Sequence, residues 1–282
     1  MCIISEQMSM NLDRNNLVVQ SNMLIYGNYD MTAMEQKLLL ILISTIKKTD
    51  KNINVIEFQV KDLAEILEVT PELLYRDLQN ICTNIMKKIV EVKLENGNWE
   101  LFNIISFASY KNKEGKIILE INKKAEPYLL QLKDLFTSFR LSNALDLSGK
   151  YAIRIYQLTK GCLFKGNLIY DVEDFKKTLK IDKKKTYASF AKISEKILNP
   201  AIKEINSKSD IIVSYETMRE GRKIKTIKFS VKSKITKKVS LSKNIINGKK
   251  LKFDNFESRE MYNDEVAMDS LENKLLGWDK DE

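Results

Sequence analysis

The stretch KDLAEILEVTPELLYRDLQNICTNIMKK, Lys61–Lys88, decides the fold. Its apolar residues recur at helical spacing on both sides of an interruption at Thr70 and Pro71. A threonine hydroxyl can accept from the open N–H groups of a helix start, and proline fits the first helical position because its missing N–H has no partner there. The interruption therefore reads as a turn followed by a fresh helix expected to run on to Val90, and the whole as a helix-turn-helix. Upstream, Thr32 with Glu35 three residues on has the capping-box pattern and opens a helix expected to run through about Lys48. The β-rich run NVIEFQV (54–60) separates the two helical regions. Downstream, WELFNIISFASY (99–110) and KIILEIN (116–122) read as two strands, turning at KNKEGK (111–116), where Gly115 allows a positive φ.

Helix, strand, helix, helix, hairpin is the order of a winged helix, with the hairpin as the wing. The chain carries this order twice. Shifted on itself by 112 residues without a gap, Val60, Leu63, Leu67 and Val69 fall on Val172, Phe175, Leu179 and Ile181. Tyr75, Leu78, Ile81 and Ile85 fall on Tyr187, Phe190, Ile193 and Ile197, while Leu39, Ile43 and Ile46 fall on Tyr151, Ile155 and Leu158. The second copy runs SGKYAIRIYQLTKGC (148–162), NLIYDV (167–172), EDFKKTLKI (173–181), TYASFAKISEKILNPAIKEIN (186–206) and the hairpin IIVSYETMREGRKIKTIKFSVK (211–232). Between the copies, KKAEPYLLQLKDLFTSFRLSNALDL (123–147) reads as a helix and connector. The expected architecture is α+β: tandem winged-helix domains at 1–140 and 141–233, then a tail, basic then acidic, at 234–282.

The 282 residues suit two domains, and the longest apolar run, Leu38–Ile43, is far too short to span a membrane. The first residues lack the basic and apolar segments of a secretion signal, so a cytoplasmic location is expected. Cys2, Cys82 and Cys162 are odd in number and scattered, which argues against a disulfide framework. Histidine is absent, removing imidazole-based proton relays and the commonest metal ligand. Neither phosphate-binding glycine motif is present. The chain is accordingly read as a non-enzyme without cofactor or metal.

The net charge of +9 is unevenly placed. From Lys183 to Lys238, 16 Lys and Arg stand against 5 Asp and Glu, a balance of +11; from Asp254 to Glu282 the figures are 3 against 10, or −7. So dense a basic segment points to a polyanion as partner. Within it, Phe190, Ile193, Ile197, Ile202 and Ile205 form an apolar stripe, opposed by Ser189, Lys192, Lys196, Asn199 and Lys203, a face expected to continue upstream into Lys183, Lys184 and Lys185. The second helix of a helix-turn-helix presents such a face to the major groove. The DNA-binding candidates are therefore Lys183, Lys184, Lys185, Tyr187, Ser189, Lys192, Lys196 and Asn199 on this segment, with Arg219, Arg222, Lys223 and Lys225 on the wing. The matching face of the first copy, Asp77, Asn80, Asn84 and Lys87 with Arg76 beside it, is polar but hardly basic, so Arg76, Asn80, Asn84 and Lys87 are assigned secondary contacts. Pro200 removes the N–H that would bond the Lys196 carbonyl and is expected to kink the helix.

NLVVQSNMLIYGNYDMTAMEQKLLLILIS at 16–44, with YAIRIYQL, ILNPAIKEIN and EGRKIKTIKFSV, resembles the iteron-binding plasmid replication initiators of tandem winged-helix type, over about residues 12 to 233. The resemblance implies binding as a monomer to directly repeated sites in double-stranded origin DNA, helping to open the duplex. It also implies a homodimer formed through the first domain that represses its own gene. Host initiator, replicative helicase and, in some members, chaperones are the implied protein partners, with no membrane. Winged-helix transcription regulators share the fold, but no sensor segment is visible. Rolling-circle initiators join a catalytic tyrosine to a histidine-held metal, and this chain has eleven Tyr but no His.

Overall fold

The computed structural model describes residues 12–234 except 48, 54, 95, 96, 131 and 134. The expected tail, apart from Lys234, lies outside the described residues, as does Cys2. Among the described residues no helix is long and apolar enough to cross a membrane.

The first unit opens with strand β1 (Leu17–Ser21) and helix α1 (Asn22–Tyr26). Helix α2 (Ala33–Ser44) starts where the capping box predicts: Thr32 Oγ1 accepts from the Glu35 N–H at 3.2 Å, and Glu35 Oε2 accepts from the Thr32 N–H at 2.9 Å. It stops four residues before Lys48, because the Ser44 and Thr45 hydroxyls take the Ile41 and Leu42 carbonyls at 2.7 and 2.8 Å. Strand β2 (Ile56–Gln59) leads into α3 (Val60–Leu67) and α4 (Pro71–Lys87), whose start is capped by Thr70 on the Leu73 N–H at 3.4 Å. Leu63, Leu67, Leu74, Leu78 and Ile85 are buried as α3 packs on α4 and α4 on α2, each such side chain contributing about 1.5–3 kcal/mol.

Two expected elements change. The helix expected to reach Val90 ends at Lys87, since Val90 and Val92 alternate with Glu91 and Lys93 as strand β3 (Val90–Lys93). The single strand expected over 99–110 divides into β4 (Trp99–Phe102), which pairs with β3, and β5 (Ile105–Lys111). Between them Asn103 leaves the ladder to donate to the Met86 carbonyl at 3.3 Å and to accept from Asn122 at 2.6 Å. Strand β6 (Lys116–Ile121) closes the wing, and Gly115 sits at φ 61° as the turn requires. The connector holds a 3-10 turn (Lys123–Tyr128), strand β7 (Phe136–Arg140) and α5 (Leu141–Leu145), in place of the longer helix expected there. β7 pairs antiparallel with β1, Phe139 and Val18 facing inward together.

The second unit repeats the plan with α6 (Lys150–Lys160), β8 (Asn167–Asp171), α7 (Val172–Thr178), α8 (Phe190–Ile193), a π turn (Ser194–Leu198), α9 (Asn199–Lys208), β9 (Ile211–Glu220) and β10 (Lys223–Ser233). Each unit has an antiparallel three-stranded sheet in which the first strand lies beside the last: β2-β6-β5 and β8-β10-β9. Phe175 joins Tyr170 and Phe229 in the second core, at ring distances of 5.7 and 5.8 Å. Glu68 and Lys180, matched by the repeat, both occupy the left-handed backbone region, at φ 56° and 51°, immediately after α3 and two residues after α7.

Candidate nucleic-acid interface

The second helix-turn-helix has a longer turn than the first. Its second helix begins at Phe190, so Lys183 and Lys184 lie in the turn and Lys185 opens a 3-10 turn (Lys185–Tyr187). They were expected to continue the helix face upstream; placed ahead of the first helical turn, they avoid most of the repulsion from its positive dipole end. All three lysines are exposed, and Lys184 Nζ lies 3.1 Å from Asp30 Oδ2. Tyr187 is half-buried, its ring edge-on to Tyr151 at 6.4 Å, so its aromatic body serves packing.

On α8 and beyond, Ile193, Ile197 and Ile205 are buried and Phe190 and Ile202 half-buried, while Ser189, Lys192, Lys196, Asn199 and Lys203 are exposed. Lys192 pairs with Glu195 at 2.7 Å, and this hydrogen bond, aided by the nearby Lys196, holds the Glu195 carboxyl below its ordinary range. Ser189 stands at the N-cap with no capping bond from its hydroxyl.

The expected kink takes a specific form. Pro200 has no N–H for the Lys196 carbonyl, and the turn before it widens: the Asn199 N–H reaches back five residues to the Ser194 carbonyl. Tyr215 on β9 braces this turn, its hydroxyl 2.7 Å from Ser194 Oγ and donating to Asn199 Oδ1 at 2.9 Å. With its oxygen engaged, Asn199 has its amide N–H pair left to offer a ligand. Neither Tyr215 nor Ser194 was expected at the site from sequence, since a strand tyrosine followed by polar residues carries no mark of a distant helix.

At the wing, Gly221 takes φ 60° and Arg219, Arg222 and Lys223 are exposed around it. The register of β9 and β10 shifts between Ile224 and Thr226, making Lys225 the extra residue of a bulge, ion-paired with Glu220. The lysine-bearing helix and the basic wing thus belong to one unit. On α4 of the first unit, Asn80, Asn84 and Lys87 are exposed, but Arg76 is bound to Asp77 at 2.9 Å. The arrangement offers cationic and amide donors.

Comparison with known proteins gives two matches to families of replication initiators: residues 17–160 match "Initiator Replication protein, WH1" and residues 171–231 match "Initiator Rep protein, WH2". A "Replication initiation protein" of Escherichia coli is 26% identical over 226 residues, covering 76% of this chain and 69% of the relative. A "PI protein" of Escherichia coli is 30% identical over 208 residues, covering 62% of this chain and 68% of the relative. The solved structure of a Pi initiator protein in complex with iteron DNA aligns with a TM-score of 0.61 at 24% identity, over 78% of this chain and 98% of that one, which supports the tandem winged-helix fold.

Proposed function

The chain belongs to the family of initiator replication proteins built from two winged-helix regions, and from that premise we propose that it binds directly repeated sites, iterons, in double-stranded origin DNA. The carrying observation is the exposed Lys192, Lys196 and Asn199 face beside a wing bearing Arg219, Arg222 and Lys223. In this reading the α8–α9 segment enters the major groove, Lys183, Lys184, Lys185, Ser189 and Lys225 approach the flanking phosphates, and Tyr187 supports them. Arg76, Asn80, Asn84 and Lys87 make the weaker contacts of the first unit. Binding and bending help to open the duplex. The role is non-catalytic and cytoplasmic, and the absence of histidine favours opening by binding over nicking.

We place the division between domains after Arg140; the packing of α6 on α9 and β10 supports counting α6 with the second unit, while α6 also meets α2, and α5 meets α2 and β7, of the first. The monomer occupies iterons; a dimer formed through the first domain represses the chain's own gene, and host initiator and replicative helicase are the partners that follow loading. For the dimer, Trp99 and Leu101 give support, being exposed on one face of β4. Anisotropy titration of the full chain against a duplex of the direct repeat flanking its gene, and a scrambled duplex, tests the reading. Preference for the repeat by about 10³-fold or more is expected. Equal affinity for both duplexes overturns it.

A further inference from the structure

The loop Gly27–Met31 belongs to the motif that carries the family resemblance, yet none of its residues is among the DNA-binding candidates. One side of it is sewn to the first unit: the Asn28 N–H donates to the Glu91 carbonyl at 2.8 Å, and the Glu91 N–H returns to the Asn28 carbonyl at 3.3 Å. A Cβ on Gly27 would stand 3.1 Å from the Glu91 carbonyl, so this approach requires glycine or a backbone shift. The other side receives the second unit. Arg154 of α6, 3% exposed, donates to the Gly27 carbonyl at 2.5 Å and to the Tyr29 hydroxyl at 2.7 Å, its guanidinium 3.9 Å from the Tyr29 ring centre. Asp30 holds Lys150 at 2.7 Å and Lys184 at 3.1 Å. Glu91 itself holds Lys180 at 3.1 Å.

Lys180 and Lys184 both lie in the turn of the second helix-turn-helix. Four contacts, the buried one of Arg154 and three partly exposed ion pairs, therefore tie the turn and α6 of that unit to the Gly27–Met31 loop and to Glu91 of the strand beside it. Exposed ion pairs alone fix little. The buried guanidinium differs: its two terminal nitrogens are held by the Tyr29 hydroxyl and the Gly27 carbonyl while the buried Nε has no protein partner, and a buried charge displaced from the partners it does have is strongly unfavourable.

We propose that the Gly27–Met31 loop, with Arg154, Glu91 and Lys180, sets the rotational phase between the two helix-turn-helix units and so fixes the spacing of the DNA segments they read. This rests on the reading that both units face DNA. Each inserted base pair rotates one segment by about 34° relative to the other. A rigidly phased protein rejects such insertions and a loosened one tolerates them. These are positioning residues, acting through the orientation of the reading helices.

The test uses the full chain and duplexes of the direct repeat flanking its gene, with 0, 1, 2, 3 or 5 base pairs inserted between the segments protected by the two units. The wild-type protein is expected to lose at least about tenfold in affinity at two or three inserted pairs, as a lost contact set of over 1.4 kcal/mol implies. Arg154→Met and Glu91→Lys are expected to weaken binding at native spacing and to reduce the insertion penalty to about threefold or less. Glu91→Lys with Lys180→Glu restores the pair with reversed charge and the wild-type spacing profile. The left-handed backbone at Lys180 tolerates glutamate, since Glu68 occupies the matching position in the same conformation. If Arg154→Met fails to fold, the Glu91→Lys pair of variants decides. A folded Glu91→Lys that keeps the wild-type penalty overturns the proposal, as does a wild-type protein that binds the repeat with no penalty. A wild-type protein that does not prefer the repeat overturns the DNA reading itself, and this proposal with it.

Discussion

Among single charges, Lys192 and Lys196 differ in how far they are already engaged. Lys192 is paired with Glu195, an exposed, solvent-screened contact that a phosphate can replace. Lys→Ala at either position is expected to weaken DNA binding and lower the slope of log affinity against log salt by about 1. The loss is expected to be larger at Lys192, whose removal leaves the Glu195 carboxylate facing the phosphates. Salt titrations of the two variants check this, and unchanged binding with intact folding removes the helix as reader. Glu204 makes a different prediction, about stability. It accepts from the Ser148 N–H at 2.7 Å, the Ser148 hydroxyl at 2.5 Å and the Gly149 N–H at 3.1 Å, capping α6 from α9. Burial raises its pKa, but these bonds and Lys208 outweigh burial and hold the carboxyl at about 2. A carboxylate pKa below its unfolded value stabilises above the ordinary carboxylate range, and that stability is lost as pH falls from about 4.5 toward 2. Glu204→Gln is expected to destabilise by about 1 kcal/mol at pH 7. Denaturant unfolding at pH 7 and pH 3 should show the gap to wild type narrowing at the lower pH. The exposed lysine face was legible because apolar spacing assigns the remaining positions to solvent. Partners such as Asp30 for Lys184 were not, because nothing local links residues so far apart in the chain.

In the reading element, Pro200 was legible as a break, but a missing N–H permits a kink, a bend or a widened turn. The brace from Tyr215, on another element, accompanies the widened one. Pro200→Ala supplies the N–H that closes the ordinary bond to the Lys196 carbonyl. The variant is expected to keep or gain thermal stability while losing several-fold discrimination between the repeat and a scrambled duplex. Competition binding and thermal unfolding measure both, and unchanged discrimination would show the turn to be incidental. Strands β3 and β4 show the opposite limit of legibility. VEVK alternates as a strand should, yet it follows an amphipathic helix without a glycine or proline to mark the change, so helical periodicity was carried three residues too far. The β1–β7 ribbon escaped for another reason: its strands come from the two ends of the first unit, so no local pattern predicts the pairing.

Across the molecule, the internal repeat carried the most information. Two copies of one apolar pattern had to share a topology, and both sheets place the first strand beside the last. The copies diverge in charge, as the sequence already indicated with its basic second wing, and in backbone, which the repeat concealed: a long lysine-bearing turn and a π turn in the second unit, against a continuous α4 with Arg76 paired to Asp77 in the first. That asymmetry predicts that alanine at Asn80, Asn84 and Lys87 together lowers affinity less than alanine at Lys192 and Lys196 together; the reverse order in side-by-side titrations would move the principal reader to the first unit. The central claim, that the second unit directs sequence-specific binding to repeated duplex sites, is tested most directly by footprinting the full chain on the DNA flanking its gene at two salt concentrations. The account predicts regularly repeated protection at low salt that weakens with salt yet keeps its positions, and disappears for Lys192→Ala with Lys196→Ala. Uniform protection without repeats, or an unchanged footprint from that double variant, would contradict it.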